Sequence, residues 1–390
     1  MLITRKFKEG GNLTVNGKTG EHSATKLRIK DMSLDQYSSF KKDFISFLYG
    51  INERFEDEYG YPVWEKPELL QTGRMFSGST RTLFTKEFGE YSARKPKIGD
   101  FDIQVPEACF EDFHKFILEE MVDQSVGDWT IYGCSKSPGQ DHSLVQADKN
   151  YPNVDAEYLQ IDWEYVPFTN GEPTEFATFA HYSSWEDLGH NIKGAFRQKL
   201  VRALTSTIDE RENVIIVSEK TGKPRGQFTK GGIVHFMGYS VDKGVRTKFK
   251  PYLDENGNQV MIDGKEAWYE APTKDSYYEQ DMGVIFQLIF GYEPTEKDKK
   301  DLFSFVRTVN YLMKSLDEER VRKVFKLYIA DIWGPAGQRL SAFDPNEDRE
   351  WKTTSCNEFI KAFPYLKEYL PEIQEMQRTY YNNYKTMEKK

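Results

Sequence analysis

Cysteine is scarce in this chain. The three that occur in 390 residues, Cys109, Cys134 and Cys356, are far apart and form no Cys-x-x-Cys pair, which argues against both a disulfide framework and a structural zinc site. They are expected to be reduced thiols in or near the core. Long apolar runs are missing as well: no stretch approaches the ~18 uninterrupted apolar residues that cross a bilayer, and Met1-Leu2-Ile3-Thr4-Arg5-Lys6 lacks the apolar centre of a signal peptide. The expectation is a cytoplasmic protein with no membrane partner. Positive charge is also in deficit, with a net charge of −9. Such a surface is not coated for nonspecific duplex binding, so any contact with nucleic acid must be local. The chain has no internal repeat or low-complexity segment, and it is silent on oligomeric state.

What is present is ordinary globular material, 38% hydrophobic and 29% charged, with 23 Tyr and 27 Phe to fill aromatic cores. The length suits two or three modules. Residues 1–32 carry turn signals at Gly10-Gly11, Asn16-Gly17 and Gly20 and read as an arm of short strands. At Ser33 the pattern turns helical. Ser33-x-x-Gln36 is a capping box, and Tyr37, Phe40, Phe44, Leu48, Ile51 and Phe55 recur every three or four residues until Gly60 and Pro62. Pro106 opens a second expected helix with Phe110, Phe113, Ile117 and Met121 on one face. Trp129 to Cys134 reads as a strand, whereas Ser135 to Asp155, with a lone His142 and no clear period, reads as a loop whose histidine is either solvated or, near a triphosphate, in contact with it.

The chemistry concentrates between Gly73 and Val105. In Gly99-Asp100-Phe101-Asp102-Ile103-Gln104-Val105 a strand's period of two puts Asp100 and Asp102 on one face and Phe101, Ile103 and Val105 on the other. Two adjacent carboxylates call for a cation, and hard oxygen ligands suit magnesium or manganese held together with substrate phosphates. Upstream, Phe76-Ser77-Gly78-Ser79-Thr80-Arg81 offers a Gly-Ser turn whose backbone N–H groups and hydroxyl can donate to phosphate oxygens. A third acid follows in Tyr158-Leu159-Gln160-Ile161-Asp162-Trp163-Glu164, where alternation sets Gln160, Asp162 and Glu164 on one side. Asp162 is the expected third ligand, with Glu164 as its competitor.

Gly78-Ser79, then Asp100-x-Asp102, then Asp162 on a later strand resembles the signature of the polymerase-beta-like nucleotidyltransferase superfamily, with a looser likeness to phage-encoded members. The resemblance covers roughly residues 33–168. Ser79 and Asp100 are 21 positions apart, longer than in the tail-adding enzymes and nearer to the cGAS-like ones. Phe84 to Lys97 fill that gap as a loop or short helix. The resemblance implies an α+β protein whose core holds a mixed or antiparallel sheet flanked by helices. It implies two Mg2+ or Mn2+ ions, an NTP as substrate, and transfer of a nucleoside monophosphate to an acceptor hydroxyl with release of pyrophosphate. In the two-metal scheme one ion, shared by Asp100, Asp102 and Asp162, lowers the pKa of the acceptor hydroxyl, and the other, on Asp100 and Asp102, neutralises the triphosphate. Gly78, Ser79 and Arg81 fall on the nucleotide side. An RNA or tRNA 3′ end is the leading acceptor. A cyclic-oligonucleotide synthetase, or a catalytically silent nucleotide- or RNA-binding scaffold, is the alternative.

Two basic stretches bear on partners. In residues 185–205, Ile192, Phe196, Leu200 and Leu204 make an apolar stripe, while Lys193, Arg197 and Lys199 make a basic side that either holds a triphosphate or is simply solvated. Residues 218–250 carry eight cations against Glu219 and Asp242, interleaved with Phe228, His235, Phe236, Tyr239 and Phe249. Cations neutralise phosphates and rings stack on bases, so Arg225, Arg246 and Lys248 become candidate nucleic-acid contacts, against an ordinary β-rich surface. The expected organisation is an arm at 1–32, a catalytic core at 33–205, a β-rich basic segment at 206–274 and a helical accessory domain at 275–390.

Overall fold

The computed structural model describes residues 32–85, 97–98, 100–137, 139–147, 159–190, 192–225, 232–334 and 345–388. The arm at 1–31 and most of the gap between Ser79 and Asp100 therefore lie outside the described residues. The chain is mixed α+β with a mixed sheet and a C-terminal helical region. It divides into two compact units, Met1–Gly194 with Gln338–Ser355 and Thr379–Lys390, and Ala195–Gly337 with Cys356–Arg378.

In the first unit the short strand β1 (Met32–Ser33) leads into α1 (Leu34–Tyr59), then α2 (Gly78–Thr85), β2 (Lys97–Ile98), β3 (Asp100–Pro106), α3 (Phe110–Lys115), β4 (Ser125–Val126), β5 (Trp129–Ser137), β6 (Gln140–Ala147) and β7 (Leu159–Val166). A small hairpin, β8 (Phe168–Thr169) and β9 (Glu172–Pro173), precedes α4 (Glu175–His181) and α5 (Trp185–Gly189). The central sheet runs β3-β7-β6-β5-β4. β3 and β7 are parallel, and the other neighbours are antiparallel.

The helical spacing of α1 does what its apolar period demands: Tyr37, Phe40, Phe44, Leu48, Ile51 and Phe55 are all fully buried. They cover the sheet face that carries Phe101, Ile103, Val105, Ile161 and Trp163. Phe44 stacks on Phe101 with ring centroids 4.1 Å apart, and Phe113 meets Trp163 edge-on at 5.3 Å. Rings this buried are the kind whose truncation to Ala costs roughly 3–5 kcal/mol. The helix expected after Pro106 forms as a 3-10 turn, α3 and a wider π turn at Phe116–Glu120, with Phe113, Ile117 and Met121 buried.

One expectation is corrected here. Gln140 to Ala147 is a strand in the middle of the sheet, not a loop, and His142 is buried. The sequence shows no apolar alternation because both faces of β6 bear polar groups. On the helix-covered face, Asp141 Oδ2 accepts from the Tyr165 hydroxyl at 2.5 Å and pairs with His114 Nδ1 at 2.7 Å, while Ser143 accepts from Trp163 Nε1 at 2.8 Å. Burial, then the Asp141 carboxylate, push the Tyr165 hydroxyl well above the ordinary phenol range. Asp141→Ala strands the buried Tyr165 hydroxyl and the His114 ring, so it should cost about 2–4 kcal/mol. A lowered urea midpoint at unchanged m-value is the expected record; a midpoint equal to wild type would show that the cluster does not hold β6 in register.

The second unit holds most of α6 (Gly194–Ser206), the strands β10 (Glu210–Arg211), β11 (Val214–Val217), β12 (Val234–His235), β13 (Met237–Ser240), β14 (Gly244–Thr247), β15 (Phe249–Pro251), β16 (Met261–Ile262) and β17 (Lys265–Glu270), and the helices α7 (Met282–Phe290), α8 (Glu296–Asp301), α9 (Phe305–Ser315) and α10 (Glu318–Trp333). A turn at Asp263-Gly264 joins β16 to β17 with both residues at positive φ. β17 pairs antiparallel with β15 and β16 and in parallel with β11. α8 and α9 are separate helices, and Ser304 caps α9 by accepting from Arg307 N. The last helices are α11 (Pro345–Ala362) and α12 (Leu370–Glu388). Among the described residues no helix is long and apolar enough to cross a membrane.

Candidate metal centre

Parallel pairing of β3 with β7 puts Asp102 directly opposite Asp162 and Asp100 opposite Gln160. Because side chains at i and i+2 share a face, Asp100, Asp102 and Asp162 converge on the side away from the aromatic core. Each offers a ligand oxygen, and these atoms lie within 4.8 Å of one another. Among the described residues no other group of three or more acidic, His or Cys side chains comes together in this way. Asp100 and Asp102 are half-buried and Asp162 is buried.

The Gly-Ser turn is built into the same place. Ser77 N donates to Asp102 O at 3.2 Å and Gln104 N to Met75 O at 2.8 Å, which lays the segment before α2 along β3. Thr80 Oγ1 accepts from Asp102 N at 2.9 Å and reaches Asp102 Oδ2 at 3.4 Å. Gly78 has φ +51°, and a Cβ there would stand 2.1 Å from Asp102 Oδ2. Glycine is thus required twice over, by backbone conformation and by the approach of a carboxylate. Ser79 is buried in the first turn of α2. Arg81, one turn further on, reaches Arg74 O and Thr178 Oγ1 at 3.4 Å each, and its burial lowers the guanidinium's pKa.

Asp162 is held more tightly than the sequence indicates. Its Oδ1 accepts from Gln160 Nε2 at 2.6 Å and is 2.7 Å from His142 Nδ1, whose partner across the ladder it is. His142 Nε2 in turn lies 3.3 Å from Gln140 Nε2. His142 is the site neighbour that sequence reading did not place beside Asp162. Nothing in the local sequence marks it, because its place is set by the pairing of β6 with β7.

Glu164 does not belong to the three-carboxylate group. It lies two residues further along the same face, 3.3 Å from His181 Nδ1 on α4. Arg197 is fully buried, Lys199 Nζ lies 3.4 Å from Asp331 Oδ1, and Lys193 stands over the Trp351 ring at 3.3 Å from its centroid. Arg197 and Lys199 belong to the second unit, Lys193 to the first. In the β-rich segment Arg225 and Arg246 both face Glu270, at 4.0 and 3.8 Å. Arg246 also donates to Ala271 O and Ser276 Oγ, and burial lowers the pKa of Lys248.

Compared with protein-family models and with curated proteins, the chain matches none of them.

The donor set itself is informative. Three crowded carboxylates on one sheet face repel unless a cation joins them, and oxygen-only ligands favour a hard divalent ion that keeps part of its water. The residues present fit such an ion.

Proposed function

We propose that the first unit is a polymerase-beta-like nucleotidyltransferase core, in which Asp100, Asp102 and Asp162 hold Mg2+ or Mn2+ and a nucleoside monophosphate passes from an NTP to an acceptor hydroxyl with release of pyrophosphate. The observation that carries this reading is the direct pairing of Asp102 with Asp162 across the parallel ladder, with Asp100 alongside and the Gly78 turn closed against Asp102 Oδ2. A bound divalent ion would supply charge neutralisation for the triphosphate and acidify the attacking hydroxyl. The protein's own part is positional. β3 and β7 fix the three carboxylates, and the α2 N-terminus offers backbone N–H groups to phosphate oxygens. The assay is incubation of the full chain with each labelled NTP and Mg2+ or Mn2+, with and without total RNA, followed by separation of products. Absence of transfer and of pyrophosphate under all these conditions would reject the reading in favour of a silent scaffold.

For the acceptor, one observation favours another nucleotide over an RNA 3′ end. Glu270 faces both Arg225 and Arg246, and Lys248 is half-buried, so the positive excess of 218–250 is partly spent within the fold. Were these side chains to track RNA phosphates, replacing Arg225, Arg246 and Lys248 with Ala would flatten the salt dependence of RNA binding by about two units of log–log slope. The expected result is no change in that slope, with a small, phosphatase-resistant product formed from NTP alone. A flattened slope together with labelled RNA would restore the tailing reading.

A further inference from the structure

The oxygens of Asp162 are not equivalent. Oδ1 takes two nitrogen partners, Gln160 Nε2 at 2.6 Å and His142 Nδ1 at 2.7 Å, whereas Oδ2 accepts no hydrogen bond among the described residues. His142 is 3% exposed and its ring is steadied from the far side by Gln140 Nε2. The chain of donors reads in one direction: Gln140 Nε2–H to His142 Nε2, and His142 Nδ1–H to Asp162 Oδ1. All three residues lie on adjacent strands of one sheet, so the arrangement is set by backbone pairing of β6 with β7, which puts His142 opposite Asp162 and Gln140 opposite Glu164.

We propose that His142 is a positioning residue of the metal centre: together with Gln160 it occupies Asp162 Oδ1, so that Asp162 presents Oδ2 alone as a monodentate ligand to the cation shared with Asp100 and Asp102, and thereby selects Mg2+ or Mn2+ over Ca2+. This rests on reading the three carboxylates as a metal site. Mg2+ demands a compact octahedron of single oxygens and waters, while Ca2+ takes six to eight oxygens and readily accepts a carboxylate edge-on. A carboxylate with one oxygen tied to two N–H donors cannot turn its edge to an ion without breaking both bonds. Hydrogen-bonded partners of metal ligands of this kind are worth about 10- to 100-fold in affinity or activity.

The test measures binding of Mn2+ and of Ca2+ to the full chain by titration calorimetry. In wild type, Mn2+ should bind more tightly than Ca2+, and Asp102→Asn should abolish both. His142→Phe keeps the ring volume and removes the donor. It should weaken Mn2+ by about 10- to 100-fold while Ca2+ loses much less, so the ratio between the two ions narrows. His142→Asn carries an amide nitrogen at the position of Nδ1 and should recover most of the Mn2+ affinity. Gln160→Met, which removes the other donor without touching β6, should narrow the ratio in the same sense even if His142→Phe fails to fold. An unchanged ion ratio in the folded His142→Phe and Gln160→Met proteins would overturn the positioning role and leave the metal reading standing. An equal loss of both ions that His142→Asn does not rescue would overturn it as well, assigning His142 to structure alone. Mn2+ binding that survives Asp102→Asn would instead sink the metal reading, and this inference with it.

Discussion

Asp102→Asn should lower nucleotide transfer by on the order of 10³-fold, because charge stabilisation by a bound metal is worth several kcal/mol. If the proposed site binds Mn2+, the ion should raise the melting temperature of wild type and not of this variant, since a ligand that binds only the folded state stabilises it in proportion to ln(1 + L/Kd), with L the free ligand concentration. Metal-free, it should be as stable as wild type or more so. Ligand oxygens within 4.8 Å of one another imply a repulsion between unit charges of about 3 kcal/mol at an effective dielectric near 20. Asn removes one of those charges and keeps an acceptor for Thr80 Oγ1, which lies 3.4 Å from Asp102 Oδ2. Asp100→Asn and Asp162→Asn should behave alike. A triple Asn variant that transferred nucleotide at the wild-type rate would show that the carboxylates are not the reaction's metal ligands.

Gly78→Ala should be the most damaging change of a single methyl group. Two penalties add. A left-handed backbone at φ +51° costs an Ala residue about 1–2 kcal/mol. The new Cβ would also sit 2.1 Å from Asp102 Oδ2 and 2.8 Å from its Cγ, so the carboxylate must rotate out of its place. The aspartate side chain is short enough to turn, which keeps the fold intact but moves a ligand by an ångström or more, a displacement that can cost about 10²-fold in rate. The expected record is a melting temperature a few degrees lower, in line with ~2–4 °C per kcal/mol for a unit of this size, together with loss of Mn2+ stabilisation. If Gly78→Ala kept full metal binding, the turn would be structural only, and the close approach to Asp102 would have no functional meaning.

Much of the site could be read in advance because β3 and α1 obey simple periods. Phe101, Ile103 and Val105 are apolar at every second position, which left Asp100 and Asp102 together on the other face, and both expectations hold in the structure. Glu164 was harder, since period two places it on the same face as Asp162 without saying which of them meets β3. Register decides that: Asp162 is opposite Asp102, and Glu164 is opposite Gln104. His142 was misread because β6 has polar side chains on both faces and no apolar rhythm to mark it as a strand. Arg197, whose charge on a helix suggests an exposed side chain, is fully buried.

By itself, then, the sequence determined which side chains share a face: Asp100 with Asp102, Asp162 with Gln160, and the aromatic stripe of α1. These follow from the geometry of one strand or one helix, which any short segment carries locally. Only the tertiary structure decided which faces meet. Strand order β3-β7-β6, the opposition of Asp102 to Asp162, the His142 N–H on Asp162 Oδ1 and the contact between Gly78 and Asp102 all join residues 20 to 60 positions apart. Backbone hydrogen bonds are nearly indifferent to which strand supplies them, so pairing is chosen by the burial of whole faces at once, a property of the assembled core rather than of any stretch within it.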